Sequence, residues 1–343
     1  MNAQARLAAL AALLLVALTL GAPRVHAQGA EASPHAIDIP KWFTESFLDF
    51  RDDVRDAARD GKRVMVYFGQ DGCPYCKALM KVDFGDPDIV AKTRARFVAI
   101  ALNIWGDRET TWVDGRTLRE KDLARALGVQ YTPTLLFLDE RGGVALRLNG
   151  YHPPASLRIA LDYASLERPR ESFTDYLARR AAQARKPAQG APSSLASAAP
   201  DLPRLLARGK PVLVLYEYDG CADCAEMRRD GFSRPEVRAL LERFSLVRLD
   251  LAGKRAVLTP DGRTTDERKW ARELQVAYAP TLLFLDARGH EAFRSEGYLR
   301  PFHLASTLDY VASGAYKGEP SFQRYLQKRG DALRAAGRDP PLW

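Results

Sequence analysis

Every cysteine in the chain lies in one of two hexapeptides, DGCPYC at 71–76 and DGCADC at 219–224. Three chemistries compete for such CxxC pairs. A structural disulfide across so small a loop removes little denatured-state entropy and staples poorly. Four thiolates could hold a zinc ion, but the two pairs fall in separate parts of the chain, and none of the five histidines recurs at matching positions. Thiol–disulfide exchange fits the context best. A β-rich run leads into each DGC, which puts Cys73 and Cys221 at a helix start, where unpaired N–H groups and the helix dipole stabilise a thiolate. Cys76 and Cys224, one turn deeper, would then resolve the mixed disulfide.

The elements that must position these cysteines occur twice. YTPTLLFLDERG (131–142) matches YAPTLLFLDARG (278–289), and GYHPPASLRIALDY (150–163) matches GYLRPFHLASTLDY (297–310). DGRT at 114–117 returns at 261–264, and ESFTDYLARR (171–180) is echoed by PSFQRYLQKR (320–329). The chain is a tandem duplication. Between the copies, 181–200 is rich in Ala, Pro, Ser, Gln and Gly and reads as a linker, giving domains over 36–180 and 201–330. In each copy a continuous apolar strand (63–68, 211–216) precedes the CxxC helix. A second helix, a second strand (97–104, 245–251), a polar loop, a third helix and a hairpin beginning at TLLFLD follow. This order predicts an α/β domain with a mixed, mainly parallel sheet flanked by helices. In copy one, 42–58 predicts a further amphipathic helix through Phe43, Phe47, Val54 and Ala58. The prolines of TPT and APT, Pro133 and Pro280, mark strand entries, where a cis bond is an option.

Residues 1–27 combine one arginine, a 14-residue apolar run (LAALAALLLVALTL) and a terminal VHA. That is the pattern of a secretory leader cut after Ala27, and the run is shorter than the roughly 18–20 residues that span a bilayer. The expectation is a periplasmic protein without stable membrane association, in a compartment where disulfides persist. A net charge of +8 without a compact basic run interleaved with aromatics argues against a nucleic-acid partner.

The strand–CxxC–helix, the PT strand entry and the GY before the last main helix resemble the thioredoxin fold, duplicated. More narrowly, YFGQDGCPYCKALMKVDF, DGRTLREKDLARALGVQYTPTLLFLDERG and NGY resemble SoxW-type periplasmic thioredoxins. The resemblance covers nearly all of each copy. It implies a thiol–disulfide oxidoreductase acting on protein disulfides or dithiols and recharged by a separate reductant or oxidant. No cofactor is needed beyond the cysteines. It also implies that Pro133 and Pro280 are cis beside the disulfides, and that Thr132 and Ala279 offer backbone groups to an extended substrate. The sequence departs from the family where thioredoxins carry a buried Asp; here Tyr67 and Leu215 stand. WCGPC is also absent.

The charges nearest the cysteines differ between copies. Asp71 and Asp219 precede both pairs, Lys77 and Lys81 follow the first, and Asp223 and Glu226 lie in and after the second. A neighbouring ammonium favours a thiolate and a carboxylate disfavours it. Cys73 is therefore expected to be the more acidic thiol and its disulfide the more oxidising. Trp105 and Trp112, in a loop expected near Cys73, have no counterparts in copy two; they could contact a substrate or fill a local groove.

Overall fold

The computed structural model describes residues 36–167, 171–184 and 199–338. The leader expected at 1–27 and most of the linker expected at 181–200 lie outside the described residues.

In the first repeat α1 (Phe50–Arg59) leads to β1 (Arg63–Gly69), every residue of which is buried. The CxxC helix α2 (Pro74–Ala78) runs into a π-helical turn (Leu79–Asp83), followed by α3 (Pro87–Arg96) and β2 (Phe97–Asn103). The polar loop contains a short hairpin, β3 (Glu109–Thr111) and β4 (Thr117–Arg119), and ends in α4 (Glu120–Ala126). β5 (Thr134–Leu138), β6 (Val144–Asn149), α5 (Pro154–Ala164) and α6 (Phe173–Ala184) complete it. The second repeat follows the same order: α7 (Leu202–Leu206), β7 (Val212–Glu217), α8 (Ala222–Glu226) with its π turn (Met227–Phe232), α9 (Pro235–Leu241), β8 (Ser245–Asp250), β9 (Ala256–Leu258) and β10 (Thr264–Asp266). Then come α10 (Glu267–Glu273), β11 (Thr281–Leu285), β12 (Glu291–Glu296), α11 (Pro301–Ala312) and α12 (Phe322–Ala335).

Each repeat has a four-stranded sheet, in order β2-β1-β5-β6 and β12-β11-β7-β8. The sheets are mixed, but not mainly parallel: only β1–β2 and β7–β8 are parallel, and the other four pairings are antiparallel. One helical crossover per repeat makes one parallel pair; the chain then returns reversed as β5 or β11 and turns tightly into the hairpin. Alternate residues feed two cores. Met65 and Tyr67 face the CxxC helix and α5, while Val64, Val66 and Phe68 pack against α1 and α4.

The helix expected across 42–58 begins only at Phe50. Asp49 caps it by accepting from Arg51 N–H, and Leu48 takes a positive φ of 64°, which stops the helix from extending backward. Residues 37–48 instead form an irregular strap along the β2 edge, with Thr44 N–H donating to Ala99 O at 2.8 Å. Phe43 is buried from this strap against Phe84 and Tyr67, while Phe47 points fully into solvent.

The two repeats are not beads on a tether. Tyr131 of the first lies in a core of the second, beside Phe293 and Phe322, and its hydroxyl donates to Arg294 O at 2.6 Å. Tyr278, at the matching position, lies in a core of the first, against His152 and Phe173. Between them Asn149 Nδ2 donates to Glu296 Oε2 at 2.9 Å, and Arg268 pairs with Asp175 at 2.6 Å. Each crossing ring removes enough apolar surface from water to contribute roughly 1.5–3 kcal/mol.

Candidate functional site

Gly72 (φ 72°) and Gly220 (φ 86°) make the left-handed turn between strand and helix that a side chain would strain. The next residue caps the helix. Cys73 is extended (φ −80°, ψ 112°), its Sγ accepts from Cys76 N–H at 3.1 Å, and Pro74 opens the first turn. Cys221 repeats this arrangement, its Sγ accepting from Cys224 N–H at 3.1 Å. Cys73 is bonded to Cys76 and Cys221 to Cys224, with Cα separations of 5.2 and 5.3 Å. The leading cysteines keep 5% exposure each; Cys76 and Cys224 have none. One cysteine of each pair thus sits, slightly exposed, at the positive end of a helix while the other is fully buried behind it.

A second loop faces each pair. Thr132–Pro133 and Ala279–Pro280 are both cis, and Thr132 O lies 3.5 Å from Cys73 Sγ. The GY turn is tied to these loops: Gly150 N–H donates to Pro133 O at 2.8 Å and Gly297 N–H to Pro280 O at 2.9 Å. Thr132 (6% exposed) and Ala279 (2%) are nevertheless buried, because each loop is anchored in the opposite repeat by the tyrosine before it. The backbone groups expected to meet a substrate lie at the junction between the repeats.

Of the residues singled out for tuning, Asp71, Lys77 and Asp219 are exposed, with Asp71 Oδ1 accepting from Ile37 N–H at 3.3 Å. Asp223 is half-buried and accepts from Ser156 Oγ of the other repeat at 3.2 Å. Burial raises its carboxyl above the usual range, with the Ser156 bond opposing. Its counterpart Tyr75 also reaches across. The Tyr75 hydroxyl accepts from Arg300 N–H at 2.7 Å, and its ring packs 4.5 Å from His303. The residue preceding each resolving cysteine therefore touches the first turns of the opposite repeat's α5 or α11. His152, buried at this junction, and His303, half-buried there, are held neutral by desolvation, down to about 4 and about 3.

The two tryptophans separate. Trp112 is buried against Phe50 with ring centroids 5.0 Å apart, so it belongs to the core behind β1 and not to the site. Trp105 is 44% exposed and its indole N–H donates to Gln70, whose amide reaches Thr132 Oγ1 at 3.1 Å. Sequence reasoning missed Asp83. It ends the π turn after Cys76, fully buried, with neither carboxyl oxygen hydrogen-bonded. Desolvation is the main cause that raises it, to about 7. Nothing in the local sequence marks it, because a carboxylate in VDFGD reads as surface.

A sheet with one parallel and two antiparallel pairings, a CxxC capping a helix and a cis-proline loop facing it define a thioredoxin-like domain, here present twice. The family described as Thioredoxin-like domain matches residues 50–165 and 199–312, and the chain belongs to it. It is similar to the thiol:disulfide interchange protein DsbD of Cronobacter sakazakii, 33% identical over 93 residues (26% of this chain, 15% of that one). The DsbD of Ralstonia nicotianae is 31% identical over 116 residues (34% and 17%). The matches thus span about a sixth of these relatives. Among solved structures, the C-terminal domain of oxidised Neisseria meningitidis DsbD aligns with 19% identity and a TM-score of 0.25, covering 33% of this chain and 88% of that one.

Proposed function

We propose that the chain is an exported thiol–disulfide oxidoreductase that reduces disulfides of extracytoplasmic proteins, using its two cysteine pairs and no organic cofactor. The observation that carries the reading is the sulfur geometry: each leading Sγ sits at a helix N-terminus and accepts a backbone N–H, in a residue that is slightly exposed where its partner cysteine is not. The Cys73 thiolate would attack one sulfur of a substrate disulfide, expelling the other as a thiolate that takes up a proton. Cys76, losing its proton, then attacks Cys73 Sγ in the mixed disulfide and releases the second substrate sulfur. The substrate gains two electrons and two protons, and Cys73–Cys76 is left oxidised. Export is supported by the leader-like residues 1–27 and by the motif resemblance to SoxW-type periplasmic thioredoxins. Among the described residues no helix is long and apolar enough to cross a membrane.

Within the molecule we assign electron flow from the second pair to the first. A carboxyl group, Asp223, adjoins Cys224, whereas Lys77 adjoins Cys76, and the packed repeats share one junction. Insulin-disulfide reduction, set against refolding of a scrambled protein, tests the activity. Wild type should reduce insulin, and Cys73→Ser and Cys221→Ser should each remove turnover through their own pair. A double variant as active as wild type would end this reading. A first pair more reducing than the second would reverse the direction.

A further inference from the structure

The strap of the first repeat shows what its sheet edge is built to hold. Trp42 and Phe43 lie over Phe84, with centroid separations of 5.2 and 5.5 Å, and Phe43 meets Tyr67 at 6.3 Å. Edge strand β2 makes room with small residues, since Met65 pairs with Ala99 and Tyr67 with Ala101. Thr44 N–H bonds to the outer edge of β2, and the strap starts at Ile37 against Asp71, two residues before Cys73. The strap thus joins an aromatic seat to the turn that presents the sulfur.

In the second repeat the matching register pairs Leu213 with Leu246 and Leu215 with Arg248. Phe232 ends the π turn there, as Phe84 directly follows the π turn in the first repeat. Among the described residues no strand covers the outer edge of β8, and Leu246 is 44% exposed. At the place of the strap is an open groove of about 480 Å³, lined by Leu215, Phe232 and Leu246 together with Arg228, Arg238 and Arg248. Arg228 and Arg248 share the buried carboxylate of Glu217, which leaves the groove net positive. The chain cannot supply a ring here from residues 181–200, which contain no aromatic.

We propose that this groove docks an extended segment of a partner protein that carries an aromatic residue flanked by acids. The ring fills the seat between Phe232 and Leu246, the backbone adds to the edge of β8, and the acids face the arginines. By the path of the first strap, the docked segment runs toward the Asp219–Gly220 turn ahead of Cys221. This deepens the exchange reading by giving the second pair a recognition surface, and it rests on that reading only for the purpose of docking.

The test uses full-length protein and a fluorescein-labelled peptide of residues 37–48 (IDIPKWFTESFL) as the probe, read by anisotropy. Saturable binding is expected, weakened at least about tenfold by Leu246→Glu, by Arg238→Glu on the exposed face of α9, or by Ala at both peptide positions Trp42 and Phe43. No saturable binding, or equal affinity for all three, overturns the proposal. Self-association in sedimentation that Leu246→Glu abolishes also overturns it, because a second copy is then the occupant. Insulin reduction in the same samples separates the two readings. An active enzyme that ignores the peptide refutes the groove alone; an inactive one that binds it refutes the exchange reading alone.

Discussion

The two repeats share one frame around the sulfur atoms and little else. Helix cap, left-handed glycine, cis-proline loop and GY turn match across the copies. The surroundings diverge. Where the first repeat has Tyr75, Trp105, an aromatic strap and Asp83, the second has Asp223, Ala252, an open groove and Gly231, whose missing Cβ makes room for Leu304. The difference teaches that a duplicated exchange site can keep its bond-forming geometry fixed while charge, access and recognition drift around it. It also teaches that the copies depend on each other. Tyr131 and Tyr278 brace both cis-proline loops from opposite sides, so neither exchange face is complete in one repeat.

The largest effect should come from breaking that bracing. Tyr131→Ala removes a buried ring and the bond to Arg294 O, and should cost about 3–5 kcal/mol in denaturant unfolding, as should Tyr278→Ala. If the repeats were independent, either variant would melt one repeat and leave the other's transition untouched; joint destabilisation is expected. Phe43→Ala should cost a similar amount in the strap, whereas Phe47→Ala, fully exposed, should fall within about 0.5 kcal/mol.

Asp83 sharpens the comparison by pH. Its folded carboxyl titrates near 7 against an ordinary value of 3.8, so the folded state holds the proton more tightly. Its contribution is fully present below about pH 4 and is lost as pH rises through 7. Asp83→Asn should match wild type near pH 4 and exceed it at pH 8 by up to about 4.5 kcal/mol, at about 1.4 kcal/mol per pKa unit. Parallel curves for the two proteins would contradict the buried-acid account. The second repeat, with Gly231 at that position, should contribute no such slope.

Much of the frame was legible because it is periodic and repeated. Self-comparison exposed the duplication, continuous apolar runs marked β1 and β7, and a CxxC after a strand marked the helix caps. The strap was not legible, since Phe43, Phe47 and Val54 mimic helical spacing while the Asp49 cap and Leu48's positive φ decide otherwise. Trp112 and Trp105 share a loop but not an environment, and only packing against Phe50 separates them. The docking of the repeats was hidden altogether. Tyr131 and Tyr278 read as the first residues of strand entries, and burial in the opposite repeat leaves no local signature.

The most direct test of the central claim is a thiolate titration at 240 nm of Cys73 in a Cys76→Ser variant and of Cys221 in a Cys224→Ser variant. Both should ionise below the free-thiol value of about 8.5, with Cys73 the lower, and both should trap substrate proteins as mixed disulfides. Values at or above 8.5 for both thiols, with no trapped adduct, would contradict it.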